Sequence, residues 1–267
     1  MNTNNIPTEV PFPLKEKNPT FRSLFRTLLY SNLKLKMKLW ENATFMMADI
    51  PLNRTETRRI LPWSLWLTKP YKATFFVAQY TKTAFTGAYN ESAILFHVST
   101  PFGKGVHCPW MLVDDDTALI YGRELLGYPK KMAVIPFEDD GKKIKASLTR
   151  RNTTVVSMEA ERLSKETNPE PIAEVKNFNI GGMGQFFAYN LVWMFKYKET
   201  IHESYMAKVT LKIQDSVYDP ILSLIGNYNN PIEGRIAKLD ILGFKMLWFA
   251  GISGLRVFKN SFNLRFR

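Results

Sequence analysis

The stretch Tyr121-Gly-Arg-Glu-Leu-Leu-Gly-Tyr-Pro-Lys-Lys-Met-Ala133 sets two adjacent lysines directly behind a proline. Pro129 restricts the residue before it, Tyr128, to an extended backbone conformation. The apolar residues that follow the lysines are typical of a strand. We therefore expect Lys130 and Lys131 at the start of a strand, where successive side chains point to opposite faces.

Two roles are open for these lysines. Paired lysines are most often solvated surface charges, and an ordinary lysine is protonated at neutral pH and cannot attack a carbonyl. If Lys131 faces outward, however, Lys130 faces the core of the sheet, where the loss of water disfavours the charged ammonium. A desolvated lysine amine is a nucleophile that forms Schiff bases with carbonyl compounds.

Length and composition bound the class of protein. The 267 residues allow one large domain or two small ones, and the apolar fraction of 45% excludes disorder over most of the chain. The single cysteine, Cys108, excludes a disulfide framework and favours a reducing, cytoplasmic compartment. The N-terminal region lacks a secretory signal, and the most apolar segment, 239–257, is interrupted by charged residues, so we expect a soluble protein.

The net charge of +12 is concentrated at the two ends of the chain. Residues 1–70 carry 11 Lys and Arg against 5 Asp and Glu, and residues 232–267 carry 7 against 2, which leaves the middle near +1. This distribution argues against a nucleic-acid partner. Membrane contact through the basic ends is the less favoured explanation of their charge.

Most predicted elements are short strands. Helices are predicted at 20–31 and, ended by Pro62, at 53–61. Hairpins are predicted at 111–122, around three aspartates, and at 132–149, around an Asp-Gly turn. The other segments are strands at 33–39, 45–50, 71–80, 92–99, 153–161, 186–197 and 205–213, a linker candidate at 165–171, a helix start at 219–225 and an apolar core segment at 236–249. Short, closely spaced strands indicate a mostly antiparallel sandwich or barrel with peripheral helices.

The histidines and the cysteine do not form a recognisable metal site. His97, His107, His202 and Cys108 lack the spacing of zinc ligands, so we predict no metal. The adjacent side chains of His107 and Cys108 point to opposite faces of a strand, which favours a core histidine beside a buried thiol over a catalytic pair. The glycine cluster at 181–184 lacks the phosphate-binding fingerprint.

The lysine pair belongs to a larger pattern. Gly122-Arg-Glu-Leu-Leu-Gly-Tyr-Pro-Lys-Lys131 is preceded by Ala88-Tyr-Asn-Glu-Ser92 and by Leu112-Val-Asp-Asp-Asp-Thr-Ala-Leu-Ile120. Together these segments resemble the acetoacetate decarboxylase family. The resemblance implies an α+β fold that is mostly antiparallel, a cone-like β-barrel with peripheral helices that encloses the lysine. It also implies a homo-oligomer.

The same resemblance implies site residues. It makes Lys130 the Schiff-base lysine and Lys131 its neighbour, with Tyr128 and Arg123 as supporting residues of the same motif. The glutamate of the family's Tyr-x-Glu-Ser motif corresponds to Glu91, which is implied to reach the same pocket as an acid, a base or an electrostatic group. The spacing leaves room for one intervening hairpin, which would bring the strands of Glu91 and Lys130 side by side. No metal or organic cofactor is implied.

Two departures from the family pattern bear on the substrate. Members that decarboxylate acetoacetate carry an arginine on the early strand, where residues 42–45 have none, and a second glutamate where Phe76 stands. Arg54, Arg58 or Arg59 could take the place of that arginine. The nucleophile is therefore retained, whereas the groups that handle the carboxylate are not.

Three hypotheses about function follow for a single acetoacetate decarboxylase-like domain at 20–267, behind an N-terminal extension at 1–19. The first is a cytoplasmic lyase that decarboxylates acetoacetate or a related β-keto acid through a lysine imine and enamine. The second is an imine-dependent aldolase or dehydratase that acts on 2-oxo acids, with Glu91 as acid or base. The third is a non-catalytic, ligand-binding member of the family. The partner in either reaction is a small oxo acid.

Overall fold

The computed structural model describes residues 38–181, 191–254, 260–261 and 264–265. These residues form a 13-stranded sheet with two α-helices and a short 3-10 helix. None of the helices in these ranges is long and apolar enough to cross a membrane. The strands are Trp40–Pro51 (β1), Trp66–Leu67 (β2), Lys72–Tyr80 (β3), Lys82–Thr83 (β4), Tyr89–Thr100 (β5), Gly103–Val113 (β6), Lys130–Met132 (β7), Phe137–Asp139 (β8), Lys143–Arg150 (β9), Thr153–Lys165 (β10), Lys176–Ile180 (β11), Leu191–Ile213 (β12) and Ile232–Ile252 (β13). The helices are Arg54–Ile60 (α1), Asp116–Glu124 (α2) and the 3-10 helix Leu222–Leu224.

Seven of the strands close into a barrel. Their hydrogen-bonded order is β11-β6-β5-β3-β1-β13-β12, and β11 pairs with β12 to complete the ring. Neighbours in the ring are antiparallel, except that β6 and β11 are parallel. The closure is uneven, because β11 meets β6 at Asn177 and Val106 whereas β12 and β13 pair over most of their length. The predicted α+β fold, a mostly antiparallel, cone-like barrel with peripheral helices, is confirmed.

Both faces of β1, β3 and β5 are mostly buried, because each face contributes to a different core. On β1, Phe45 and Met47 point into the barrel, whereas Met46, Ala48 and Ile50 point away from it. The outward side chains join an outer core with residues of α1, β9 and β10. Strands β8 to β10 extend the sheet from β12 and cover this face.

Strand β12 belongs to both layers. Its first part pairs with β11 in the ring, and its later part pairs with β10 in the outer layer. The two separate strands predicted at 186–197 and 205–213 are therefore wrong for the described part, which is one strand of 23 residues. The polar residues 198–203 interrupt the apolar pattern, but pairing with β13 continues through them. Residues 186–190 lie outside the described residues.

The hairpin predicted at 111–122 is wrong. After β6 the chain begins helix α2, and the carboxylate of the N-cap residue Asp115 accepts a hydrogen bond from the amide of Ala118 at 2.6 Å. Asp114 accepts a hydrogen bond from the amide of Asn90 at 2.6 Å, which ties the start of the helix to β5. The aspartates thus satisfy free N–H groups instead of turning a hairpin.

Most other predicted elements are present with shifted ends. The helix predicted at 53–61 is α1, capped by Asn53. The helix predicted from 219 to 225 is reduced to the 3-10 helix. The strands predicted at 45–50, 71–80, 92–99 and 153–161 correspond to β1, β3, β5 and β10, and the linker candidate 165–171 connects β10 to β11 within one sheet. The extension 1–19, the helix 20–31 and most of the strand 33–39 lie outside the described residues.

Two apolar runs differ from prediction. The strand predicted at 132–137 is broken, since β7 ends at Met132 and the short strand β8 pairs with β9 to form the hairpin. The segment 236–249 lies in β13, but Trp248 and Phe249 at its end are 63% and 41% exposed, so this end is not core.

Closure of the barrel requires a glycine on β6. A Cβ at Gly105 would lie 2.2 Å from the carbonyl oxygen of Lys176 and 2.7 Å from the ring of Phe178. Both neighbours belong to β11, and the carbonyl is backbone, so it cannot yield without disturbing the contact between β6 and β11 that closes the ring.

We expect Gly105→Ala to lower the free energy of unfolding by about 1–3 kcal/mol, the usual cost of overpacking. Urea unfolding followed by circular dichroism measures this difference. Gly87→Ala is the matched control, because nothing in the described part of the chain, apart from its neighbours in sequence, lies within 4 Å of a Cβ at that position. Equal stability of the two variants would contradict the role given to Gly105.

Candidate active site

The barrel interior encloses a cavity of about 780 Å³. Its wall is mostly apolar and aromatic and is built from β1, β3, β5, β6, β12, β13 and helix α2. Lys130 and Glu91 both line it, and they are 5% and 6% exposed. An amine and a carboxylate thus share a space that is largely shielded from solvent.

Helix α2 and strand β7 position Lys130. Strand β7 runs parallel to β6, with Lys130 opposite Met111. The Arg123 guanidinium donates a hydrogen bond from Nη1 to the carbonyl oxygen of Lys130 at 2.9 Å, which ties the end of α2 to the strand. The lysine side chain crosses Gly122, where an added Cβ would lie 2.3 Å from Cε and 2.5 Å from Cδ. Its path therefore requires the absence of a side chain at position 122.

The amine of Lys130 contacts the carboxylate of Glu91. Nζ lies 2.5 Å from Oε2, and the hydroxyl of Tyr80 donates a hydrogen bond to Oε1 at 3.4 Å. The expectation that the two strands lie side by side is wrong, because β6 lies between β5 and β7. Glu91 is opposite Val113 on β6, and Lys130 is opposite Met111. The two side chains meet across β6 because both are long and both point into the barrel.

Buried phenols surround the ion pair. Burial raises the pKa of Tyr80, Tyr89, Tyr128 and Tyr197, and the negative charge of Glu91 adds to each increase. The phenols therefore remain protonated at neutral pH and serve as neutral hydrogen-bond donors. The ring of Tyr89 lies 5.7 Å from Nζ of Lys130, and the hydroxyl of Tyr128 donates to Oδ1 of Asn177 at 3.1 Å.

Lys131 points to the opposite face of β7, into the outer core. Its amine contacts the carboxylate of Asp219, which also accepts hydrogen bonds from Nε1 of Trp110 at 2.7 Å and from Nη1 of Arg150 at 3.3 Å. Burial lowers the pKa of Lys131 to about 8, although Asp219 acts in the opposite direction. Lys131 points away from Lys130, as strand alternation predicts, but it is not a solvated surface charge, since it is 5% exposed. The outer layer that covers it was not evident from the sequence around it.

Phe45, from the segment 42–45 that lacks the family's arginine, and Phe76, which stands in place of the glutamate, meet in the cavity wall. Phe45 on β1 and Phe76 on β3 both line the cavity, with their ring centroids 5.5 Å apart. The alternative arginines do not replace the missing charge here, because Arg54, Arg58 and Arg59 on α1 line a separate surface cavity. This part of the wall is therefore aromatic.

Sequence reasoning missed a polar cluster farther along the cavity. The hydroxyl of Thr74 donates to Oδ1 of Asp49 at 2.6 Å and lies 2.9 Å from Nε2 of His97, and Nζ of Lys72 lies 2.5 Å from Oδ2 of Asp49. Burial lowers the pKa of His97; Asp49 opposes this effect and Lys72 adds to it. Strand alternation could have identified this histidine, because it follows Glu91 by an even number of residues on β5.

Arg235 was also missed. It lies on β13 opposite Met47 and lines the cavity. Its Nε donates hydrogen bonds to Oε2 of Glu166 at 2.7 Å and to Oγ of Ser204 at 2.8 Å. These partners are distant in the sequence, so no local pattern indicated the contact.

His107 and Cys108 point to different cores, as predicted. Cys108 belongs to the inner core, whereas Nδ1 of His107 lies 2.6 Å from the carbonyl oxygen of Phe178 in the outer core. Burial lowers the pKa of His107 to about 4 and raises the pKa of the Cys108 thiol. Both groups are therefore uncharged at neutral pH. Among the described residues, no three His, Cys, Asp or Glu side chains are grouped to hold a metal ion.

The fold is similar to solved structures of low sequence identity. The acetoacetate decarboxylase from Legionella pneumophila subsp. pneumophila str. Philadelphia 1 aligns with a TM-score of 0.64 at 15% identity, over 79% of this chain and 86% of that chain. A second acetoacetate decarboxylase structure aligns with a TM-score of 0.66 at 19% identity, over 79% and 88%. The enduracididine biosynthesis enzyme MppR, complexed with pyruvate, aligns with a TM-score of 0.62 at 15% identity, over 77% and 88%. At these identities the similarity concerns the fold alone.

Sequence comparison gives the family. No curated protein matches the chain. The family model described as acetoacetate decarboxylase matches residues 29–227, a range that contains both Lys130 and Glu91. The chain therefore belongs to the acetoacetate decarboxylase family.

Proposed function

We propose that this protein is a Schiff-base-forming lyase that decarboxylates acetoacetate or a related β-keto acid through Lys130. The observation that carries the proposal is the enclosed Lys130 amine, which is 5% exposed and lies 2.5 Å from the carboxylate of Glu91. Membership of the acetoacetate decarboxylase family supports the same chemistry. The family resemblance and the single cysteine support a cytoplasmic homo-oligomer as its working form.

The first step is formation of an imine. Glu91 accepts a proton from the ammonium of Lys130, and the neutral amine adds to the ketone carbon of the substrate. Loss of water from this adduct gives a protonated imine. The imine nitrogen is the electron sink, so the reaction requires neither a metal nor an organic cofactor.

The second step breaks a carbon–carbon bond. The bond between the α-carbon and the carboxylate cleaves, carbon dioxide leaves, and the electron pair moves into the imine to form an enamine. The proton that Glu91 took from Lys130 leaves with the water released when the imine forms. Glu91 therefore takes up a second proton from solvent and gives it to the enamine carbon, and water then hydrolyses the imine to release a ketone and the lysine.

An aldol or dehydration reaction on 2-oxo acids is the second candidate. The aromatic pair Phe45 and Phe76 provides no charge to hold a β-carboxylate, which favours a substrate without one. The same imine would acidify the α-carbon, and Glu91 is close enough to Nζ of Lys130 to remove a proton from a bound adduct. Of the similar folds, MppR has been solved with the condensation product of pyruvate and imidazole 4-carboxaldehyde.

Borohydride trapping tests the Schiff base directly. After incubation with acetoacetate or pyruvate, borohydride should reduce the imine to a stable amine and add the mass of the reduced substrate to the peptide that contains Lys130. Mass spectrometry of the digested protein identifies the site, and Lys130→Met should give no adduct. If the unmodified sequence gives no adduct either, the Schiff-base function is wrong. An adduct without release of carbon dioxide from acetoacetate would exclude the decarboxylase and leave the aldol or dehydration reaction.

Replacement of Glu91 should separate proton transfer from imine formation. We expect Glu91→Gln to lower kcat by about 10²- to 10⁴-fold, the usual contribution of a positioned acid or base, while an adduct still forms at Lys130 on long incubation. The control is Glu138→Gln, because Glu138 is exposed. An unchanged kcat in Glu91→Gln would exclude Glu91 as the proton carrier.

A methyl group at position 122 should displace the nucleophile without unfolding the protein. In Gly122→Ala the new Cβ would lie 2.3 Å from Cε of Lys130, and the flexible end of the lysine would move aside. We expect the rate of adduct formation to fall about 10²-fold, the cost of a misplacement of about 1 Å. Gly87→Ala is the control. If both variants form the adduct at the same rate, the path of the Lys130 side chain across α2 does not affect its reactivity.

A further inference from the structure

We propose that the substrate carries a long apolar arm, such as an alkyl chain, and that this arm lies along β5 from Glu91 toward His97. The proposal rests on the Schiff-base function above and names the substrate class of the same site. Acetoacetate, with one methyl group beyond its ketone, would occupy only the end of the cavity beside Lys130.

The volume of the cavity exceeds the needs of a short oxo acid. Its 780 Å³ fall within the range of about 300–1,000 Å³ in which pockets bury drug-sized ligands. A substrate that fills only a small part of an apolar cavity gains little from its wall, because the stabilisation grows with the apolar area removed from water.

Strand β5 sets the length of the cavity. Glu91, Leu95 and His97 share one face of this strand, and all three line the cavity. At a rise of about 3.3 Å per residue, Leu95 lies about 13 Å and His97 about 20 Å beyond Glu91. Lys130 lies at the Glu91 end of the cavity. At the His97 end, Oδ1 of Asp49 lies 3.9 Å from Nε2 of His97, and the Asp49 side chain is 41% exposed. The cavity therefore runs from a buried amine to a solvent-exposed end.

The wall between these ends is apolar. Met47 on β1 and Phe76 on β3 are paired in register, and they line the cavity together with Leu95 on β5 and Val106 and Met111 on β6. A mostly apolar surface of this kind matches an alkyl or aromatic group, and its polar members Tyr128 and Asn177 are hydrogen-bonded to each other.

The lysines and the arginine on the wall are already paired with carboxylates. Among the described residues that line the cavity, the lysines and the arginine each contact a carboxylate: Lys72 contacts Asp49 at 2.5 Å, Lys130 contacts Glu91 at 2.5 Å, and Arg235 contacts Glu166 at 2.7 Å. A second carboxylate on the arm would compete with these partners, and of the three cations Arg235 alone keeps a buried nitrogen, Nη2, without a hydrogen-bond partner in the described part of the chain. Along most of its length the arm is therefore apolar.

A series of 2-alkanones from acetone to 2-decanone tests the proposal without assuming the fate of the imine. Borohydride trapping at Lys130, followed by mass spectrometry, gives a rate constant for each ketone. We expect this constant, at concentrations below saturation, to rise about threefold to fourfold for each added methylene across the series, whose longest arm ends before the polar cluster at His97.

Leu95→Trp should locate the arm, because an indole at this position narrows the middle of the cavity. We expect it to lower the ratio of the 2-decanone rate to the acetone rate at least tenfold. Leu163→Trp, at a leucine that is 57% exposed on β10, is the matched control and should leave that ratio unchanged. Met47→Trp narrows the cavity from β1, and it is the second variant to test if Leu95→Trp does not fold.

The outcomes distinguish this proposal from the function on which it rests. A trapping rate that is flat or falls with chain length overturns the apolar arm, while adducts with acetone at Lys130 preserve the Schiff-base function. A length preference that survives unchanged in a folded tryptophan variant overturns the position of the arm along β5. If no ketone gives an adduct at Lys130, both proposals fail.

Discussion

Side-chain alternation on strand β7 places two adjacent lysines in two different cores, and the candidate site depends on this separation. Lys130 contacts Glu91 inside the barrel, and Lys131 contacts Asp219 in the outer core. Removal of one partner from a buried ion pair typically costs about 3–5 kcal/mol, because the other charge remains buried. A slip of β7 by one residue would break both pairs at once. The outer pair therefore fixes the register that presents the inner amine to the cavity.

The features that could be predicted from the sequence are those that depend on neighbours along the chain. The inward position of Lys130 followed from Pro129 before it, the apolar residues after it and the alternation of a strand. Helix α1 followed from Asn53 at its start and Pro62 after its end. The strands β3 and β5 were recognisable as short apolar runs, because both strands face two cores.

The features that could not be predicted depend on distant contacts. Glu91 and Lys130 are 39 residues apart, and Lys131 and Asp219 are 88 apart, so neither ion pair has a local signature. The burial of Lys131 was not predicted, because nothing in its own segment indicates the layer of β8 to β10 that covers it. Helix α2 was missed because its apolar residues follow the strand β6 directly, and the capping role of Asp115 is indistinguishable from a turn until the helix is seen.

The pairing of β1 with β13 joins residues about 200 positions apart in the sequence. At a translation rate of about 5–20 residues per second, β1 waits roughly 10–40 s on the ribosome before its partner strand is made. During this time the edge that carries Phe45 and Met47 is unpaired and can recruit other chains. The part of the cavity wall that β13 contributes is also absent during this time. Protection of this edge on the nascent chain therefore affects how many active molecules a cell contains. It does not change the activity of each molecule.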